Sequence, residues 1–414
     1  YKYKEAPLYC GAFLFIKISL LLSMKNDSKN LKTLFQLDHD ITFLNHGSYG
    51  SCPIPVFENY QKWQVMIEQH PVKFMQDDVY QYLEESRRAL GAYINCDKDD
   101  LIYVPNPTHA VANIINNVIL DKGDEVLTTD LEYGSCDRMW FYEAQRQGFI
   151  YNRSKISLPI IDKESFCNNF WKNATEKTKY IFISQITSST GMILPIPEIV
   201  LEAKSRGIKT IIDGAHVPAH IDLNIKDLDP DYYVGACHKW LCCPKGVSFL
   251  YVKKDQQKNI QPQIMSWGWG EEYDEFKGST QLKSESRFVN IFQWQGTRDM
   301  SAFLTVPKAI EFQEEYDWES VRGRCKKMIV DARNQITKIT NLPEICPDNW
   351  LGQMATILFP TDDVNQFKNT LYNEYQIEIP TMSHNGYSAF RISIQGYNSE
   401  DDIDYLIETL KKII

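Results

Sequence analysis

Two short apolar runs that stop abruptly at ionisable residues constrain this chain more than any other feature. The first reads Thr210-Ile211-Ile212-Asp213-Gly214-Ala215-His216, the second Tyr232-Tyr233-Val234-Gly235-Ala236-Cys237-His238-Lys239-Trp240. Each apolar part has the length and residue types of a buried strand. An α/β sheet binds ligands in the crevice outside the carboxyl ends of its strands. Asp213 and Lys239 are therefore delivered to one crevice. On spacing alone two readings stand side by side. One is a buried Asp213–Lys239 ion pair. The other is a pyridoxal phosphate (PLP) site, with Lys239 forming the Schiff base and Asp213 keeping the pyridine nitrogen protonated so that the ring acts as an electron sink.

The chain is long enough, at 414 residues, for a large core and two or three domains. Its net charge of −10 argues against a nucleic-acid surface, which needs clustered Lys and Arg. Ten cysteines follow no framework, and Cys242 and Cys243 are adjacent, a pattern of reduced cytosolic thiols. The Cys237-His238 … Cys242-Cys243 cluster matches no zinc spacing, so no metal is expected. Near the start, Phe13-Leu14-Phe15-Ile16 and Leu20-Leu21-Leu22 flank Lys17. That stretch falls short of the ~20 residues a spanning helix needs, and no small-residue cleavage site follows it. Residues 1–23 are thus expected to be a non-native or leader extension, Met24 the start, and the protein cytoplasmic with no membrane partner.

Strand-like and helix-like segments alternate through the middle of the chain. Strands are expected at 101–104, 125–129, 180–184, 209–212, 232–236 and 247–252, with helices at 55–69, 77–93, 108–119, 135–147 and 196–205. This is the pattern of a mainly parallel sheet with helices on both faces. Residues 262–290 read as a loop or flap. Helices at 301–316 and 318–338 lead to a small α+β unit: strand 355–359, helix 364–375, strand 390–394, helix 400–412. The expected division is an N-terminal arm (24–54) reaching the active site, a large α/β domain (55–300) and a small C-terminal domain (301–414).

Other strand ends carry candidate chemistry. Asn106-Pro107-Thr108-His109 joins a strand to a helix. Thr108 suits a cap, and free amides at the helix start suit a phosphate, although most such threonines only cap. In Glu132-Tyr133-Gly134 the aromatic can stack on a planar ring, or be an ordinary sheet-edge Tyr. His238 can donate to a phosphate and His216 to a phenolic oxygen, whereas a lone His is more often structural. Gly296-Thr297-Arg298-Asp299 is a second helix start or a plain capping turn. Arg391 can clamp a carboxylate bidentately, or face solvent as most strand arginines do.

In this order, the segments resemble the class V aminotransferase family of fold-type I PLP enzymes, and within it the isopenicillin N epimerase-like branch, which includes cysteine desulfhydrase-like C–S lyases. The likeness runs from Phe43 to the C-terminus. Phe43-Leu44-Asn45-His46-Gly47-Ser48-Tyr49-Gly50 looks like the branch's opening motif, Val104-Pro105-Asn106-Pro107-Thr108 its phosphate turn, and Glu132-Tyr133-Gly134 its stacking motif. Asp213 to His216 and Cys237 to Trp240 resemble the pyridinium-pairing and Schiff-base motifs. Gln295-Gly296-Thr297-Arg298-Asp299 resembles a loop that reaches the neighbouring subunit's phosphate. Arg391-Ile392-Ser393 and Gly396-Tyr397-Asn398 resemble the carboxylate-binding motif.

The resemblance implies a mainly parallel sheet of the seven-stranded type, a homodimer with sites at the interface, and PLP as cofactor. It implies Lys239 as the catalytic base at Cα. Asp213, His216, His238, Thr108, His109, Tyr133, Thr187 and Thr297 would hold the cofactor, and Arg391, Asn45 and Gly47 the amino-acid substrate. Three departures stand out: Pro107 where the family usually has Ala, Ala236 where many members have a phosphate-binding Ser, and Gln185 where this branch commonly has His. The cysteine that desulfurases carry ahead of the C-terminal arginine is missing, since no cysteine follows Cys346. Expected outcomes are epimerisation, C–S elimination or transamination, with a non-catalytic fold relative as the alternative of another kind.

Overall fold

The central apolar runs need cover on both faces, and they receive it. The computed structural model describes residues 26–384 and 386–414; the leader 1–23 and Met24 lie outside the described residues. One seven-stranded sheet runs in the order Leu101–Val104, Ser248–Val252, Tyr232–Ala236, Lys209–Gly214, Thr178–Ser184, Glu125–Thr129, Ile150–Ser154. Every strand is parallel to the rest except Ser248–Val252. Side chains alternate between its faces. Phe182, Ile211 and Val234 pack with Ala110, Val111 and Trp140 of helices Pro107–Ile115 and Gly134–Gln147. Ile183, Ile212 and Tyr233 pack into a second core with Ile199, Ala309 and Ile329 of helices Ile196–Ser205, Val306–Glu315 and Trp318–Thr340.

Several expected boundaries move, each for a local reason. Asn106 rather than Thr108 caps the first of these helices: its Oδ1 accepts the His109 amide at 2.9 Å, with Pro107 already in the first turn. That helix ends at Ile115. Strand Ile150–Ser154 was not expected because it lies at the sheet edge, with polar and partly exposed residues. Helix Arg287–Gln293 occupies the end of the expected flap, capped by Ser286. The stretch 301–316 is two helices, Ser301–Leu304 and Val306–Glu315.

The C-terminal unit is an antiparallel sheet ordered Thr381–His384, Tyr387–Ser393, Met354–Leu358. The N-terminal arm threads between this unit and the large sheet. Thr42–Phe43 pairs in parallel with Ile377–Glu378, and the Ser393 amide donates to Leu44 O at 2.8 Å. The arm then turns at Gly50, whose φ of +69° and ψ of 171° only glycine adopts without strain. A Cβ there would lie 2.2 Å from His238 O and 2.9 Å from Lys239 O. Among the described residues, no helix is long and apolar enough to cross a membrane. Gly50→Ala is expected to cost about 1–3 kcal/mol from backbone strain alone. A lower thermal unfolding midpoint checks this, and an unchanged one would contradict the close approach.

Candidate active site

The parallel strands end at a cavity of about 780 Å³ whose wall includes Asp213, His216, His238, Lys239, Arg391 and Tyr133. Lys239 is half-buried at the cavity wall, with its Nζ 3.0 Å from His216 Nε2. On the other side of that ring, Trp240 Nε1–H donates to His216 Nδ1 at 3.3 Å. An indole N–H can only donate, so Nδ1 must accept and the neutral ring carries its proton on Nε2. Nε2–H then donates to Nζ, which can accept only as a neutral amine. The electrostatics agree. Burial lowers the Lys239 pKa to about 8, opposed by Asp213 and reinforced by Arg391. Burial also drives His216 well below its usual range, with Lys239 the next cause.

Asp213 does not form a salt bridge with Lys239. Its Oδ1 accepts the Ala215 amide at 2.9 Å, and the Cys136 thiol lies 4.0 Å from Oδ2. Burial raises its pKa, offset by the Ala215 hydrogen bond and by Lys239. The direct ion-pair reading of the two strand ends is therefore discarded.

The phosphate turn is sparse in donors. Pro107 has no amide, Asn106 Oδ1 takes that of His109, and Asn106 O takes that of Ala110. Thr108 supplies the one first-turn amide without a protein partner, and it lies on the cavity wall. His238 lies there too. Its Nδ1–H donates to Val247 O at 3.0 Å, and burial lowers its pKa to about 4. The neutral ring thus presents an acceptor at Nε2, and His238 donates to a phosphate only when the anion draws a second proton onto it. Lys245, on the same wall, donates to Gly50 O at 2.9 Å.

Arg391 sits on the small sheet opposite Lys239. Its guanidinium donates to Ser188 O and, at 3.0 Å, to Ser48 Oγ. Its Nε is buried without a partner, and no described carboxylate pairs with it. Gly47 packs beside it against the small sheet, where a Cβ would lie 2.7 Å from Met354 Sδ and 2.8 Å from Ser393 Oγ but only in ordinary contact, 3.5 Å, with the guanidinium. Asn45 stands one step back. It accepts from Ser48 Oγ at 2.5 Å and donates to Glu378, so it orients the residue that orients Arg391.

Other expected residues fall elsewhere. Thr187 is buried off the cavity wall, its Oγ1 2.5 Å from Thr190 Oγ1, because the flanking Ile186 and Ser188 take the wall positions. His109 lies off the wall, half-buried beside Gln295, because its amide belongs to the Asn106 cap. Thr297 is exposed on a surface groove with Val72, Tyr80 and Trp294, away from its own chain's cavity. Tyr397 and Asn398 are buried in structural roles: Tyr397 Oη meets His46 Nδ1 at 3.0 Å, and Asn398 donates to Phe43 O. Gln185 accepts from Tyr233 Oη at 2.7 Å.

Glu132 has a place that sequence reasoning missed, although it follows strand Glu125–Thr129 by only three residues. It lies on the cavity wall, accepts the Ser184 amide (2.9 Å), Ser184 Oγ (2.6 Å) and Thr129 Oγ1 (2.6 Å), and burial raises its pKa to about 8.

A family model described as aminotransferase class-V matches residues 56–406. The chain is 30% identical over 393 residues to isopenicillin N epimerase of Amycolatopsis lactamdurans, covering 93% of this chain and 98% of the relative. It is 25% identical over 391 residues to hercynylcysteine sulfoxide lyase of Schizosaccharomyces pombe, covering 92% and 96%. An apo cysteine desulfurase from Thermococcus onnurineus superposes with a TM-score of 0.78 at 16% identity, covering 93% and 97%; that likeness is one of fold.

In cofactor-free protein, Lys239 is expected to react with an amine reagent with a midpoint near pH 8, well below that of the exposed lysines. Trp240→Phe frees Nδ1 to take the ring proton, lets Nε2 accept from an ammonium, and moves that midpoint upward. Residue-resolved labelling against pH checks both, and a downward shift would reverse the tautomer assignment.

Proposed function

The chain belongs to the class V aminotransferase family with PLP as its cofactor, and we propose that it removes the Cα proton of an amino acid or amino-acid-containing substrate in the manner of isopenicillin N epimerase. The observation that carries this is the Nε2–H of His216 facing Lys239 Nζ across 3.0 Å, which holds the amine neutral and basic. When bound, the cofactor supplies an electron sink for the charge left at Cα.

The remaining work falls to the protein's own side chains. Asp213, at the cavity wall, would keep the ring nitrogen protonated by opposite-charge pairing. Thr108 and His238 would hold the phosphate, and Tyr133, partly exposed and free of side-chain bonds, would cover a ring face. Arg391, on the cavity wall, would take the α-carboxylate. Lys239 Nζ would accept the Cα proton as general base. Residues 55–300 would form the cofactor-holding domain and 301–414 the small domain, with the arm between them. Exposed Thr297 would complete the phosphate site of a second copy in a cytoplasmic homodimer.

C–S elimination is the second reading, favoured by the likeness to the sulfoxide lyase. Persulfide-forming desulfuration is set aside because no cysteine lines the cavity among the described residues. Incubation with L-cysteine, cysteine-conjugate sulfoxides and a tripeptide antibiotic precursor separates the outcomes. Inversion at Cα with sulfur retained is expected; pyruvate with a released sulfur species would replace epimerase by lyase. Lys239→Ala should lower turnover by about 10²–10⁴ and abolish borohydride fixation of the cofactor. Wild-type protein that stays colourless with added PLP would leave only a non-catalytic relative.

A further inference from the structure

A second cavity adjoins the first, and the two share Ser189 and Met382 as wall residues. It is a narrow slot of about 30 Å³ between Leu158-Pro159, the Pro343 to Ile345 segment and the small sheet. Its chemistry is apolar. The one carboxylate on its wall, Glu344, is paired with Arg333 at 3.0 Å.

The sheet register relates this slot to the carboxylate clamp. Arg391 pairs with Thr356, and Ala389 with both Leu358 and Met382. Alternate residues on a strand share a face, so Arg391 and Ala389 face one way, as do their partners Thr356 and Leu358. The slot wall includes Thr356, Leu358, Ala389 and Met382. It therefore begins beside the clamp, at Thr356, and extends on the same face about 7 Å farther along the strand to Leu358 and Ala389. Arg391 and Thr356 also hold the lip between the cavities, donating to Ser188 O and Ser189 O respectively, the latter at 2.7 Å.

We infer that this slot is a subsite for the distal end of the substrate, and that it takes an unbranched apolar segment on an α-amino acid. The inference rests on the proposed reading that Arg391 binds an α-carboxylate. With the carboxylate there, a side chain of about four or five carbon atoms has the length to run along this ~7 Å stretch of the slot. Free cysteine, too short to reach it, leaves the slot's apolar wall without a partner.

The test uses holoenzyme and the straight-chain series L-2-aminobutyrate, norvaline, norleucine and 2-aminoheptanoate, which carry no sulfur leaving group. Affinity is read from the change in the cofactor's visible absorption. It should rise about fourfold per methylene through norleucine and then level off as the slot fills. Ala389→Leu fills the slot and should cut the norleucine-to-aminobutyrate affinity ratio about tenfold. Leu358→Ala lengthens the slot and should move the optimum to 2-aminoheptanoate. Equal affinities across the wild-type series, or an unchanged ratio in Ala389→Leu holoenzyme, would overturn the subsite while leaving the amino-acid reading intact. Coloured holoenzyme that answers to no member of the series would overturn both.

Discussion

One proton position organises this site: the hydrogen on His216 Nε2. Trp240 is buried in the core and its N–H has a fixed direction, so His216 must accept at Nδ1 and point its own hydrogen at Lys239. A lysine facing a donor is better off neutral. Burial pushes the same way, while Asp213 and, after it, Cys136 pull the amine toward its charged form. The chain thus keeps a carboxylate and an amine in one cavity without letting them neutralise each other as an ion pair, which would leave neither free for chemistry.

That arrangement requires the backbone of the lysine turn to stay still, and two distant segments, the arm and helix Val306–Glu315, hold it. His46, from the arm, lies 3.1 Å from Lys239 O through Nε2 and 3.0 Å from Tyr397 Oη through Nδ1. Burial lowers its pKa to about 3, so the ring is neutral and makes these contacts as a dipole. Gly50 packs against the carbonyls of His238 and Lys239, and Lys245 returns to Gly50 O. Gln313, on helix Val306–Glu315, donates to Trp240 O at 3.0 Å. The arm, the small domain and the large sheet therefore meet at the turn carrying the reactive amine.

How much of this was legible in the sequence follows from what each residue depends on. Asp213, His216, His238 and Lys239 were readable because each ends or follows a buried apolar strand, and strand ends define the crevice. Strand Ile150–Ser154 was not, since an edge strand needs no apolar run. Thr187 and His109 were misplaced for a related reason. Position in a loop or first turn does not say which neighbour faces the cavity, and Ile186, Ser188 and Thr108 do. Tyr397 belongs to the carboxylate-binding motif by resemblance, yet it faces the arm through His46, a contact between residues at opposite ends of the chain.

Glu132 shows how the cavity manages a surplus of acid. Two carboxyls on either side of strand Thr178–Ser184, Glu132 beside Ser184 and Ser184 opposite Asp213 in register, repel each other if both ionise. Burial opposes both charges, and Asp213 adds to the rise at Glu132, whose pKa reaches about 8. Asp213 has what Glu132 lacks, the nearby Lys239 and an open cavity side where a cationic ring nitrogen would sit. A proton at neutral pH therefore resides on Glu132, which still accepts from Thr129 Oγ1 at 2.6 Å on one oxygen while Ser184 donates to the other. The neutral carboxyl then ties strand Glu125–Thr129 to strand Thr178–Ser184 without adding charge. Asp213, with Lys239 nearby to favour its charge, is then the carboxyl better placed to pair with a protonated ring in the proposed cofactor site.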